Sequence, residues 1–137
     1  MGCDIHAHFE IKLNNKWEHY SQPRILRNYR LFALIAGVRN FDNKITPIVK
    51  PKGLPKNLSV TTQLDVNRGK QDWHTYTWLD TDEIVLLLNT DFVKEDWKFE
   101  FTQLGFLFGN GWGDWKDYPD SYPTEIEDIR FICWFDN

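Results

Sequence analysis

The chain has 137 residues, a length that fits one domain able to bury a core without staples. Its formal net charge is −4 and it contains no basic run, which argues against duplex nucleic-acid binding, because the phosphate backbone demands a Lys/Arg surplus. No apolar stretch approaches the ~20 residues needed to span a bilayer, and the 42% apolar share is that of a globular chain.

Residues 4–13 alternate polar and apolar without a break, the period of a half-buried strand. Asn14-Asn15 tolerates positive φ, and alternation resumes at Lys16, so a hairpin is expected, with Pro23 closing its second strand. Residues 27–39 carry apolar positions at i, i+3, i+4 and i+7 on nearly every face. That pattern predicts a largely buried helix, ended by Arg39 and Asn40. Residues 41–58 hold Pro47, Pro51, Gly53 and Pro55 and read as loop. Ser59 is placed to cap a short helix through Asn67. Residues 73–79 are β-prone, and Asp80 with Glu83 forms a capping box that starts a helix through about Asn89. Residues 92–104 fit strand or helix, residues 105–123 read as a Gly- and Trp-rich surface loop, and Ile129 to Phe135 is a strand. The expected fold is α+β: one domain over 1–137, with a mainly antiparallel sheet and two or three helices packed on one face.

The opening strand carries the chemistry. Ile5, Ala7, Phe9, Ile11 and Leu13 should face the core, and Asp4, His6, His8, Glu10 and Lys12 the opposite side. Two His at i, i+2 on a strand stand close enough to share an ion such as zinc or manganese, with Asp4 or Glu10 as a further ligand. The same residue types are general acids and bases. A solvated sheet face is the plainer reading. Cys3 has the wrong parity to join the row.

If the last strand lies beside the first, Arg130, Trp134 and Asp136 join Asp4, His6 and His8 on that second face. An Arg and a Trp there would suit a phosphate and a base. His74, Tyr76 and Trp78 would share one face of the 73–79 strand. Arg27 and Arg30 sit at the start of the first helix, where backbone amides and guanidinium groups favour anions, and Arg39 near its end is a further candidate for a phosphate contact. Gly105 to Gly113 lacks the Gly-Lys-Ser/Thr ending of a phosphate loop. Its composition suits a lid.

Met1-Gly2-Cys3-Asp4-Ile5-His6 resembles the opening of a family of small phage and prophage proteins. The likeness continues in Arg27-Asn28-Tyr29, in residues 34–40, in Gly53-Leu54-Pro55, in the His74 to Leu79 segment, and in Arg130-Phe131 with residues 134–137. It implies a phage-type setting rather than a mechanism. Members of that family tend to carry a second His where this chain has Tyr76. Asp4-Ile5-His6-Ala7-His8 is also similar to the Asp-x-His-x-His start of metal-dependent amidohydrolases, whose barrels need more than ~200 residues. His74-Thr75 gives half of the paired motif of two-histidine phosphoesterases.

Two functions follow as expectations. One is capture of a nucleotide-like small ligand, in the phage setting a host defence signal, through Asp4, His6, His8, Arg27, Arg39, His74, Trp78, Arg130, Trp134 and Asp136. The other is a metal-dependent hydrolase or phosphodiesterase with His6, His8 and His74 as catalytic groups and Asp4, His6 and His8 as metal ligands. Two cysteines and an opening without an apolar leader fit a reducing bacterial cytoplasm. A homo-oligomer is compatible with the small size.

Overall fold

The structure is a computed structural model that describes residues 2–96 and 126–136. Strand β1 (Asp4–Leu13) and strand β2 (Lys16–Ser21) form the expected hairpin. Its turn residues Asn14 and Asn15 both take positive φ, 49° and 60°, which is the turn whose twist matches two paired strands. Strand β3 (Trp73–Leu79) and strand β4 (Asp128–Asp136) complete an antiparallel sheet of order β2-β1-β4-β3. The last strand therefore lies beside the first. His6 pairs with Trp134, Glu10 with Arg130 and Asp4 with Asp136.

Four α-helices are described: α1 (Tyr29–Ala36), α2 (Val60–Asn67), α3 (Thr81–Leu88) and α4 (Asp91–Asp96). Helix α1 is shorter than its apolar periodicity suggested. The Asn28 side chain accepts from the amides of Arg30 and Leu31 at its start, and Gly37 at φ 70° ends it before Arg39 is reached. Ser59 caps α2, and Asp80 with Glu83 makes the capping box of α3. The start of the 92–104 stretch is helical in α4, while the 105–123 loop and lid lie outside the described residues.

The main core sits between one face of the sheet and helices α1 and α3. Phe9, Phe131 and Phe135 of the sheet pack with Phe32 and Ile35 of α1 and with Ile84 and Leu87 of α3, all fully or almost fully buried. Each such side chain contributes roughly 1.5–3 kcal/mol on burial. Cys3 and Cys133 belong to this core as separate free thiols.

Helix α2 and the segment before it cover the opposite face. A second, smaller cluster lies beneath them: Trp73, Ile132 and Trp134, with Leu58, Val66, Tyr76 and Trp78 packed around it. The second face is therefore not the solvated surface that outer-face polarity suggests. His8, Glu10 and Arg130 all project from it and all are buried.

Strand β3 departs from simple alternation. Its register with β4 shifts between His74 and Thr77, and Thr75 takes φ 57°. The bulge turns Trp73, Tyr76 and Trp78 to one face. It sends His74 to the other, opposite Phe135 of the main core, with ring centroids 6.3 Å apart. The expectation that His74 shares a face with Tyr76 and Trp78 is corrected by this one extra residue.

Candidate functional site

The polar row of β1 is held by a different partner at each step. Asp4 receives Nε and Nη2 of Arg27 at 2.6 and 3.2 Å. That pairing, above all its hydrogen bond, holds the Asp4 carboxyl below the usual carboxylate range. Gly2 makes room for it: a Cβ there would stand 1.8 Å from Nη1 of Arg27. The amide of Cys3 donates to the Tyr29 hydroxyl at 3.0 Å. The opening hexapeptide and Arg27-Asn28-Tyr29 thus meet in space, and Asn28 caps the helix between them.

His6 is half-buried, its Nε2 3.3 Å from Oδ2 of Asp136, with its ring against Trp73 at 4.7 Å. Trp134 is fully buried between His6, His8, Tyr76 and Trp73, and its Nε1–H has no acceptor among the described residues. It is a wall of the core rather than an open stacking platform.

Glu10 and Arg130 form a buried ion pair. Nε and Nη2 of Arg130 donate to Oε1 of Glu10 at 2.8 and 2.6 Å, while the Ser59 amide and the Thr62 hydroxyl donate to Oε2 at 2.9 and 2.7 Å. Burial alone would raise the Glu10 pKa, and these hydrogen bonds overcome it, so the carboxyl sits below its ordinary range. Nη1 and Nη2 of Arg130 also donate to the carbonyls of Lys56 and Asn57, each at 3.0 Å. Arg130 therefore straps the 56–59 segment and the start of α2 to the sheet. Its assignment to a ligand phosphate is corrected: Arg130 is 3% exposed and its guanidinium is already engaged.

His8 is fully buried with both ring nitrogens in use. Nε2 lies 2.7 Å from Oδ2 of Asp65 on α2, and Nδ1 lies 2.9 Å from Nε2 of His19 on β2. An ionised carboxylate only accepts, so the His8 Nε2 carries a hydrogen. Of the two central atoms, His8 Nδ1 and His19 Nε2, one must then donate and the other accept. Burial, with the neighbouring His8, holds His19 below the usual histidine range, and Glu10 partly opposes this. Asp65 is anchored in turn by Arg68 at 3.6 Å.

His19 is half-buried and lines a cleft of about 730 Å³ between the edge strand β2 and the start of α2. Lys12, Lys16, Trp17, Ser59 and Thr61 share the lining. A second cleft, of about 480 Å³, lies across Trp17 and includes Trp78, Lys56 and Asp80. Trp78 there carries the Lys52 ammonium 3.8 Å over its ring.

The ten residues expected to surround one ligand do not converge. Asp4 meets Arg27, and His6 meets Asp136 beside Trp134. Arg39 lies over the Tyr29 ring in a separate recess of about 270 Å³. His74 is on the main-core side of the sheet, so it cannot join His6 and His8 as a catalytic trio. The proposed metal set of Asp4, His6 and His8 is also corrected. His8 spends both nitrogens on Asp65 and His19, Asp4 is held by Arg27, and no group of three such residues among those described is placed to hold an ion such as zinc or manganese.

The residues missed from the sequence are His19 and Asp65. The first was within reach. Counting outward from Asn14-Asn15 pairs Leu13 with Lys16 and brings Glu10 opposite His19, so a third histidine joins the row by hairpin register alone. Asp65 stands 57 positions from His8, and no local pattern links them. No protein-family model, no curated protein and no solved structure matches the chain.

Proposed function

We propose that the protein captures a small nucleotide-like ligand in the cleft between β2 and the start of α2. One observation carries this reading: a concave site of about 730 Å³ gathers Lys12, Lys16, His19 and the Trp17 ring at the same place as the capped N-terminus of α2. The volume suits a drug-sized or nucleotide-sized molecule. Lysine ammonium groups and helix-start amides favour phosphate oxygens. Glu18 pairs with Lys16 at 3.7 Å on an exposed flank, so an incoming phosphate would compete for that lysine.

The net charge of −4 fits a compact ligand better than a long polyanion. In this reading the protein works in the bacterial cytoplasm. Its resemblance to phage and prophage proteins makes a phosphate-bearing host defence signal the ligand. Among the described residues no helix is long and apolar enough to cross a membrane.

Equilibrium dialysis against ADP-ribose and cyclic dinucleotides tests the proposal, counting total bound nucleotide whatever its chemical form. Saturable binding that weakens in Lys12→Ala and Lys16→Ala, and more so with added salt, is the expected result. Absence of saturable binding by any of these probes, in protein whose fold is verified by circular dichroism, would sink the reading.

A further inference from the structure

The buried chain Asp65–His8–His19 links a carboxylate through a core histidine to a second histidine at the rim of a cleft. A neutral imidazole has one N–H donor and one lone-pair nitrogen, and His8 uses both within the chain. Here a fully buried imidazole is wedged between a carboxylate and a second imidazole, and the second imidazole opens on a cleft. The end nitrogen has one free role. His19 Nε2 is taken by His8, so Nδ1 is the nitrogen left to meet whatever occupies the cleft, and among the described residues it has no hydrogen-bond partner.

We propose that His19 is a metal-independent general acid–base in this cleft, charged and discharged through His8 and Asp65, acting on a phosphate ester or anhydride. The inference goes beyond ligand capture but rests on the same cleft as that reading. In the resting state His19 carries its hydrogen on Nε2 and donates it to His8 Nδ1. Nδ1 of His19 then presents a lone pair. When that nitrogen takes a proton from an attacking water, the Nε2 hydrogen shifts to His8 Nδ1. The positive charge thereby settles on His8, against the Asp65 carboxylate. The step balances without other reagents. The water oxygen bonds to phosphorus, the bond from phosphorus to the leaving oxygen breaks, and the proton held by the pair returns through His19 to that leaving oxygen.

His19 is the catalytic residue of this scheme, and His8 and Asp65 are positioning residues. The groups that set the proton affinity of the pair are on all the elements around it. Glu10 and Lys12 stand on β1, Asp65 on α2 with Arg68 just past its end, Arg130 on β4, and Lys16 and Glu18 on β2 beside His19. The low proton affinity of His19, set by burial and by His8, keeps it in the base form near neutral pH.

The test uses bis(p-nitrophenyl) phosphate and ADP-ribose as probes, with EDTA present throughout. Wild-type protein is expected to hydrolyse at least one of them. His19→Gln, which keeps a hydrogen-bonding side chain on the edge strand, should lose on the order of 10²–10⁴-fold in kcat read at saturating probe, the usual contribution of a positioned acid–base group. Asp65→Asn should lower kcat with KM little changed and should move the acid limb of the pH–rate profile, a response that loss of packing alone does not give. If wild type binds a probe and leaves both intact, the catalytic inference fails while the capture reading stands. Turnover by His19→Gln equal to wild type would overturn it as well, and turnover that appears only in a parallel assay without EDTA would transfer the chemistry to a metal.

Discussion

Replacing Glu10 by Gln tests how the second face of the sheet is held. The carboxylate is fully buried, accepts four hydrogen bonds and is the counter-charge of Arg130, itself 3% exposed. Summing four charge-assisted bonds at ~1.5–3 kcal/mol each would overshoot, because Gln keeps one carbonyl oxygen in place. The dominant loss is the uncompensated buried guanidinium, which costs about 3–5 kcal/mol when its partner is removed. At ~3–4 °C per kcal/mol for a domain of this size, the midpoint should fall by roughly 10–20 °C. Urea unfolding followed by tryptophan fluorescence measures the free-energy loss, and thermal unfolding by the same probe measures the midpoint. Lys16→Gln, which breaks an exposed pair, serves as the control and should stay within about 0.5 kcal/mol. The double variant Glu10→Gln/Arg130→Met should lose less than the sum of the two single losses. A loss below ~1 kcal/mol for Glu10→Gln, or strictly additive losses, would refute the strap.

The same pair fixes a pH response. The folded-state pKa of Glu10 lies below its unfolded value near ~4.3, so the unfolded chain binds the proton first as pH falls. The stability contribution is complete above that unfolded value and is lost as pH drops through the folded one, and Glu10→Gln should flatten this part of the acid-denaturation curve. His19 acts at higher pH. Its folded pKa is depressed by burial and by His8, so stability should begin to fall as pH drops through ~6.5, and His19→Gln should remove that slope in urea midpoints taken between pH 7 and 5. Asn28→Ala removes the side chain that accepts from two amides at the start of α1 and should cost about 1 kcal/mol in the same assay. Cys3 and Cys133 are buried free thiols whose pKa values burial pushes up, so a thiol reagent should label neither in the native protein and both in denaturant.

Much of the fold was legible from local pattern. The alternation of residues 4–13, the Asn14-Asn15 turn, the Ser59 cap and the Asp80–Glu83 capping box each name an element whose bounds the structure reproduces within a residue or two. Parity also placed Arg130, Trp134 and Asp136 beside the β1 row, given a sheet that pairs the first and last strands, which is the order found. What covers that row was not legible. Helix α2 reaches it through Thr62 and Asp65, more than fifty positions away in sequence, and a row of Asp, His and Glu looks the same whether water or a helix lies over it. The face of His74 was misread because a bulge shifts every parity before it, and Thr75 at positive φ gives no warning when the residue is β-branched rather than Gly or Asn. Arg130 could be placed on the correct face but not assigned its work, since nothing local separates an arginine that binds a phosphate from one that straps a loop.

The most direct test is a nitrogen-15 spectrum of the imidazoles at pH 7, recorded before and after adding inorganic pyrophosphate. The chain has four histidines, so each can be assigned by substitution. His8 should show a slowly exchanging hydrogen on Nε2, bonded to Asp65, and pyrophosphate should shift the His19 signals while leaving His74 unchanged. A freely exchanging His8, or a pyrophosphate response at His6 or His74 with His19 silent, would contradict the cleft between β2 and α2 as the functional site.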